Sequence, residues 1–115
     1  MRRAQRLRRR QEFTRVYQSG RIYRSELLVL RALSTGAPSR FGFTVGVAIG
    51  NAVTRNRLKR RLREAVRSLP VVAGWDVVLN ARRGAGEAGY GRLRGQVSKL
   101  MERAGLLEGP AKESK

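Results

Sequence analysis

Residues 50–68 read GNAVTRNRLKRRLREAVRS, and the rest of the chain is organised around this stretch. Its apolar residues recur at the spacing of one stripe of an α-helix: Leu58, Leu62, Ala65, Val66 and Leu69. The other sides of such a helix carry seven basic residues between Arg55 and Arg67, against one acid, Glu64. The pattern predicts an amphipathic helix with one apolar face and a strongly positive outer surface.

Several of the basic side chains repeat four residues apart and would be neighbours on the predicted helix: Arg57 and Arg61, Lys59 and Arg63, Arg63 and Arg67. Each like-charged pair destabilises a helix by roughly 0.2–0.5 kcal/mol, so the three together cost about 1 kcal/mol. A solvated basic face is the usual explanation of a charged helix. Here the charge density and the near absence of acids favour a surface that binds nucleic acid, because a polyanion would relieve the repulsion.

The composition also points to an anionic partner. A net charge of +18 on 115 residues is large for a single small domain, and repulsion of that size opposes compaction. The sequence contains neither cysteine nor histidine, which excludes disulfides and removes the commonest metal ligand and general base. The eight acids are scattered, and no pair has a metal-ligand spacing together with a histidine. We therefore predict no catalytic residue and no metal site in the protein itself.

Nothing in the sequence predicts a membrane segment or a secretory signal, since no apolar run approaches the roughly 18 residues of a membrane span. The sequence predicts a cytoplasmic protein with no membrane partner and no small-molecule substrate. Three segments are expected: a basic, flexible arm over residues 1–9, a single RNA-binding domain over residues 10–106 and a flexible tail over residues 107–115. A like-charge run at a terminus is usually disordered, and this arm is expected to order only on RNA.

A short helix is predicted over residues 10–19. Phe13, Val16 and Tyr17 lie on one side of it, and Gly20 is well placed to end it in the left-handed conformation. Phe13 and Tyr17, one turn apart, are consistent with two roles. They are either ordinary core contacts or a platform on which the bases of a single strand stack.

The remaining elements complete an α/β order. Strands are predicted over residues 26–33 and 75–82, the second buried on both faces. Residues 40–49 alternate between larger apolar and small residues, which predicts one long strand or two short ones joined by a bend at Gly46. A last helix is predicted over residues 90–104. The predicted fold class is therefore α/β, an α+β sandwich in the order helix, strands, basic helix, strand, helix.

The two later helices have recognisable end signals. Asn51 or Thr54 is the candidate N-cap of the basic helix, and Gly105 is placed to end the last one. The small residues on one face of residues 40–49 leave room either for a packed helix or for an open floor beside the basic helix.

Two adjacent motifs carry a resemblance to a known family. GNAV at residues 50–53, followed by RNRLKR at residues 55–60, resembles the signature of the protein subunit of bacterial ribonuclease P. The likeness covers roughly residues 7–105 and includes FTRVY at 13–17 with Gly20, RFGF at 40–43, and DVV at 76–78 with Ala81-Arg82. Because an asparagine between two arginines follows the GNAV turn at a fixed distance, this signature is far more specific than a generic basic helix.

The resemblance implies a fold and an activity. The fold would be a compact sandwich with a small central sheet, in which the basic helix connects parallel strands by a left-handed crossover, a rare hand for such connections. The protein would be the cofactor of a catalytic RNA. That RNA, with Mg²⁺ that it mainly holds itself, hydrolyses the phosphodiester bond between the 5′ leader and the mature tRNA. The protein would bind the catalytic RNA and the precursor tRNA leader, help to retain Mg²⁺, and be inactive alone.

The resemblance also implies residue roles. The residues that would contact the catalytic RNA all belong to the basic helix: Arg55, Asn56, Arg57, Lys59, Arg60, Arg63 and Arg67. The residues that would line a cleft for the single-stranded leader are Phe13, Tyr17 and Arg31. Arg31 stands where the family often has an aromatic residue, so it would meet phosphate rather than stack. Gly46-Val47-Ala48 replaces a basic group that usually precedes the GNA turn, and leader affinity is expected to be weaker or more salt-sensitive.

A second function is compatible with the composition. A structural protein of the ribosomal type, which binds folded ribosomal RNA, would have the same size and charge. Only the RNR signature and the aromatic pair distinguish a ribonuclease P subunit from such a ribosomal protein. A third option, an autonomous nuclease, is disfavoured by the lack of histidine and of clustered carboxylates.

Overall fold

The computed structural model describes residues 2–108. The helices and strands in chain order are α1 (Arg10–Ser19), β1 (Arg21–Arg24), β2 (Leu28–Ser34), β3 (Arg40–Thr44), α2 (Ala52–Arg67), β4 (Trp75–Ala81) and α3 (Tyr90–Arg103). Short 3₁₀ turns lie at Arg3–Gln5, Val47–Ile49 and Ala85–Glu87. The α+β sandwich predicted from the sequence is confirmed, with the short strand β1 as an element that the sequence pattern did not predict.

The four strands form one mixed sheet in the order β1-β2-β4-β3. Strand β2 pairs antiparallel with both β1 and β4, whereas β3 and β4 are parallel neighbours connected through α2. The left-handed sense of this connection stays a prediction. Strand β4 is central, and its Val77, Val78 and Leu79 are at most 1% exposed because both faces of the sheet are covered there. The predicted burial of this strand is thus confirmed.

The sheet separates two unequal apolar clusters. Helices α2 and α3 cover one face, where the main core contains Leu30, Leu62, Val77 and Leu100 among others. Helix α1 covers part of the other face, where a smaller cluster forms around Val16, Val78 and Leu7, with Phe13 and Leu33 packed against it. The basic helix therefore buries its apolar stripe behind the sheet and leaves its polar sides outward.

The N-terminal arm contacts the sheet. Leu7 is only 5% exposed, and its N–H donates to the carbonyl oxygen of Phe41 at 2.9 Å. Arg6 forms an isolated parallel bridge with Phe41, next to the outer edge of β3. The arm predicted over residues 1–9 therefore contributes Leu7 to the core, while its mobility stays a prediction.

Part of the predicted C-terminal tail also has a place in the fold. Leu107 forms an antiparallel bridge with Val71, and the N–H of Glu108 donates to the carbonyl oxygen of Pro70 at 2.7 Å. Residues 109–115 of that tail lie outside the described residues. Within residues 2–108, no helix combines the length and apolar character that crossing a membrane requires.

The strand predicted over residues 40–49 is half as long in the structure. Strand β3 ends at Thr44, residues 47–49 form a 3₁₀ turn, and Val47 is 78% exposed. Thr44 pairs with Asn80, and β4 continues for only one more residue, Ala81, so residues 46–49 lack a strand to bond to. Alternation alone could not reveal this loss of a partner.

Two helices are followed by a glycine, and the two glycines have different backbone conformations. Gly105 has a φ of 75°, as the prediction for the last helix requires. The prediction for Gly20 is wrong, because its φ of −79° and ψ of 158° are extended and lead directly into β1. A Cβ at Gly20 would lie 2.6 Å from the carbonyl oxygen of Val16, so the glycine is needed for close packing.

Candidate RNA interface

Helix α2 begins at a side-chain cap. The Asn51 carboxamide oxygen accepts the N–H of Thr54 at 2.9 Å, so of the two candidate N-caps Asn51 is the one used. The helix buries Leu58, Leu62, Ala65 and Val66 against the sheet and α3. This burial orients the polar sides of the helix away from the core.

The residues predicted to contact RNA lie on those polar sides. Asn56, Arg60 and Arg67 are exposed, and the half-buried members of the set are Arg55, Arg57, Lys59 and Arg63. Arg55 donates from Nε to the carbonyl oxygen of Gly50 at 3.0 Å, which ties it to the turn before the helix. The structure therefore brings the seven predicted residues onto one helix without burying any of them completely.

Acidic neighbours neutralise little of this charge. Among residues 2–108, the one ion pair made by an α2 side chain joins Arg67 to Glu64 of the same helix, at 3.0 Å. Both side chains are more than half exposed, and such a pair contributes little to stability. The positive surface is therefore open to an external anion.

Cations converge where α2 meets the arm. A cavity of about 150 Å³ is lined by Arg6, Lys59 and Arg63 together with Phe13 and Phe43, among others. Burial lowers the pKa of Arg63, and repulsion from Arg6 and Arg60 lowers it further. Like charges held this close oppose folding, and an anion placed among them would reverse that effect.

Phe13 lies over a glycine of the sheet. A Cβ at Gly42 would come within 2.5 Å of the Phe13 ring, so only glycine lets the aromatic side chain approach β3 this closely. The small-residue face of this strand thus admits a packed helix at Gly42. Phe13 is half-buried and touches the cavity that Lys59 and Arg63 also line, so the first cleft residue and the basic helix share one surface.

Tyr17 and Arg31 form a stack one helical turn further along. The Arg31 guanidinium carbon lies 4.7 Å from the centroid of the Tyr17 ring, and Tyr17 is 39% exposed. Asn80 joins both: its amide nitrogen donates to the Tyr17 hydroxyl at 2.9 Å, and its oxygen accepts from Arg31 Nη1 at 2.7 Å. Sequence reasoning missed Asn80, although a polar residue directly after the buried VVL run of β4 was a visible signal.

A salt-bridge network anchors α1 to the sheet. Arg40 donates to Asp76 at 2.9 and 3.1 Å and to Glu12 at 2.7 Å. Hydrogen bonds from the backbone N–H groups of Arg9 and Arg8, together with Arg40, lower the pKa of Glu12 to about 2. Hydrogen bonding to Asp76 raises the pKa of Arg40. Because Glu12 precedes Phe13, this network fixes the aromatic residue relative to the sheet.

The side chains at this surface are mainly cationic and aromatic. No group of three or more acidic residues capable of holding a metal ion occurs among the described residues. The buried carboxylate, Asp76, is already paired with Arg40. What the surface offers is positive charge, hydrogen-bond donors and several aromatic rings.

Known proteins resemble this chain in sequence. The family model described as Ribonuclease P matches residues 1–105. The ribonuclease P protein component of Symbiobacterium thermophilum is 45% identical, over 94% of this chain and 97% of that protein. The ribonuclease P protein component of Roseiflexus castenholzii is 42% identical, over 99% of this chain and 97% of that protein.

Solved structures share the fold. The RNase P protein from Thermotoga maritima is 30% identical, with a TM-score of 0.79, over 90% of this chain and 98% of that chain. The Staphylococcus aureus RNase P protein has a TM-score of 0.82 at 23% identity, over 90% of this chain and 98% of that chain, and shows the same fold. The chain therefore belongs to the bacterial ribonuclease P protein family, whose members are components of the ribonucleoprotein endonuclease that processes tRNA.

Proposed function

We propose that this chain is the RNA-binding subunit of ribonuclease P and assists a catalytic RNA in removing the 5′ leader from precursor tRNA. In this proposal, the polar sides of α2 bind the catalytic RNA. The surface formed by Phe13, Tyr17 and Arg31 binds the single-stranded leader. The protein neutralises charge and positions the substrate, while the RNA breaks the bond.

The observation that carries this proposal is the open positive surface of α2 directly beside Phe13. Lys59 and Arg63 line the same cavity as that ring. Phosphate contacts from Lys and Arg supply affinity, and aromatic rings hold unpaired bases, so both requirements of a partly single-stranded RNA are met side by side. The match of the ribonuclease P family model to nearly the whole chain weighs against the ribosomal alternative.

We also propose that Mg²⁺ is held mainly by the RNA partner. The described residues offer no cluster of acidic ligands, and Mg²⁺ prefers oxygen ligands that include carboxylates or phosphates. The protein would help to retain the ion indirectly, by lowering the repulsion between RNA phosphates brought together around it. The absence of cysteine, which suits a reducing compartment, supports the cytoplasmic location predicted from the sequence.

Reconstitution at low Mg²⁺ tests the proposal. The protein is combined with its cognate catalytic RNA and precursor tRNA, and cleavage at the mature 5′ end is measured. We expect the protein to stimulate cleavage by the RNA and to show none by itself. Absence of stimulation with the cognate RNA would contradict the proposal, and cleavage by protein freed of RNA would assign the chemistry to the protein instead.

A paired variant tests the basic helix. Arg60→Ala with Arg63→Ala removes two cations from α2, and the slope of log affinity for the catalytic RNA against log salt should become shallower by about 1–2. Arg92→Ala with Arg103→Ala makes the same change in charge on α3 and serves as the control. If both pairs change the slope equally, net charge rather than this face of α2 determines binding.

A further inference from the structure

The Tyr17 ring is held from two directions in a way that the RNA-binding role alone does not require. The Arg31 guanidinium covers one face of the ring at 4.7 Å, and Asn80 donates to the hydroxyl at 2.9 Å. Asn80 also accepts from Arg31 at 2.7 Å, which closes a three-residue cycle between α1, β2 and β4. A cycle of this kind fixes both the tilt and the position of the ring.

The sheet beside this ring is open. Arg31 pairs with Ile22 on β1, and Asn80 pairs with Val29 on β2, so these side chains share one face of the sheet with Tyr17. Ile22 is 41% exposed and Val29 is half-buried, although Val78 on the same face is fully covered. Helix α1 thus shields only part of the face, and Tyr17 stands at the border of the uncovered part.

The geometry limits what the ring can accept. An aromatic ring has two faces, and Arg31 already occupies one of them, so a single face is left for a base. A planar guanidinium stacked on an aromatic ring stabilises it by cation–π attraction and keeps it from turning. Arg31 therefore contacts both the ring and Asn80, and it supports the ring in addition to carrying positive charge at the leader-binding surface.

We propose that Asn80 and Arg31 are positioning residues that hold the Tyr17 ring as a platform for one unpaired base of the RNA substrate. This inference rests on the proposed function, because it takes the unpaired leader of precursor tRNA as the strand that crosses the open part of the sheet. A preorganised ring loses little freedom on binding, so its support contributes to affinity although Asn80 itself does not touch the base.

The test compares leader-bearing and leaderless tRNA in equilibrium binding to the holoenzyme assembled from the catalytic RNA and each protein variant. Tyr17→Ala removes the platform and should weaken binding of leader-bearing tRNA about 10-fold. Asn80→Ala, and Tyr17→Phe, which keeps the ring but loses the hydroxyl, should each weaken it about 3-fold, as the loss of a hydrogen bond that supports the ring implies. Leaderless tRNA should bind equally to all of them.

Two further measurements separate positioning from a general structural effect. The Tyr17→Phe change breaks one of the two hydrogen bonds that Asn80→Ala breaks, so the double variant should bind no more weakly than Asn80→Ala alone. A scan of single abasic sites along the leader should find one nucleotide at which Asn80→Ala causes no additional loss. Arg31→Lys, which loses the planar group, should weaken leader binding.

Arg103→Lys is the matched control for Arg31→Lys. The Arg103 guanidinium lies 6.0 Å from the centroid of the Tyr23 ring, which belongs to the α3 side of the sheet, so leader binding should not change. If Tyr17→Ala weakens leader binding but Asn80→Ala and Tyr17→Phe do not, the positioning role is wrong. The proposed leader-binding surface is then still supported. If Tyr17→Ala has no effect, the leader surface of the proposed function is itself wrong.

Discussion

Replacing Arg40 by leucine should destabilise this protein more than the loss of any surface ion pair. Arg40 holds Asp76 through two guanidinium N–H groups, at 2.9 and 3.1 Å, and Asp76 is only 2% exposed. The substitution leaves that carboxylate buried without its cation. Glu12 also loses Arg40, but it keeps the backbone N–H donors of Arg8 and Arg9 at 2.7 and 2.9 Å.

The expected magnitude follows from burial. Removing one partner of a buried ion pair costs roughly 3–5 kcal/mol, because an uncompensated charge remains inside. Arg40 is 29% exposed, so water can reach part of the vacated space and the lower end of that range applies. We expect a loss of about 3 kcal/mol in the free energy of unfolding, which lowers Tm by roughly 15 °C in a domain of this size.

Urea unfolding measured by tryptophan fluorescence reports this loss directly, because the single tryptophan, Trp75, adjoins Asp76 in β4. Arg92→Leu is the matched control. It removes an ion pair with Glu26 in which both side chains are more than half exposed, and it should cost less than about 1 kcal/mol.

A second variant identifies the cause of the loss. Arg40→Leu combined with Asp76→Leu removes both charges and should recover most of the lost stability, since well-packed apolar residues can replace a buried pair at little cost. If Arg40→Leu lowers the free energy of unfolding no more than Arg92→Leu does, a buried uncompensated carboxylate does not explain the loss of stability. The same conclusion follows if the double variant is no more stable than Arg40→Leu alone.

Two more predictions concern the placement of α1. The pKa of Glu12 in the folded protein is about 2, below the ordinary 4.5, so its charge stabilises the fold above pH 4.5 and this contribution disappears as the pH falls towards 2. In the Glu12→Gln variant, the free energy of unfolding should fall less steeply over that pH interval. If it falls as steeply as in the unmodified protein, the low pKa of Glu12 is contradicted. Gly42→Ala places a Cβ 2.5 Å from the Phe13 ring and should cost about 1–3 kcal/mol in urea unfolding. Gly46→Ala meets nothing within 4 Å and should be nearly neutral, so equal losses in the two alanine variants would rule out the steric explanation.

The amphipathic helix was predictable because its information is local. The spacing of Leu58, Leu62 and Val66 places one stripe of α2 against the core, whatever that core contains. The charge of the opposite side then follows from the residues left over. In the same way the three consecutive apolar residues of β4 required cover on both faces of the sheet.

Pairing between distant segments was not predictable from local pattern. Strand β1 is four residues long and only one of its residues is even half-buried, so it has no alternation to detect. Strand β3 ends at Thr44, one residue short of the end of its partner β4, and the alternation of residues 40–49 contains no information about the length of that partner. Leu7 lies within a run of arginines, and its burial depends on the edge of β3, more than 30 positions away in the chain.

The candidate site, too, has features that the sequence predicts and features that only the tertiary structure shows. The sequence alone determined that the protein carries a dense positive helix and two aromatic residues one turn apart, because charge and spacing are properties of the chain itself. Tertiary structure alone decided that Phe13 meets Lys59 and Arg63 at one cavity, and that Asn80 links Tyr17 to Arg31. Such contacts join residues far apart in sequence, so they exist only once the sheet has brought α1, β2 and β4 together.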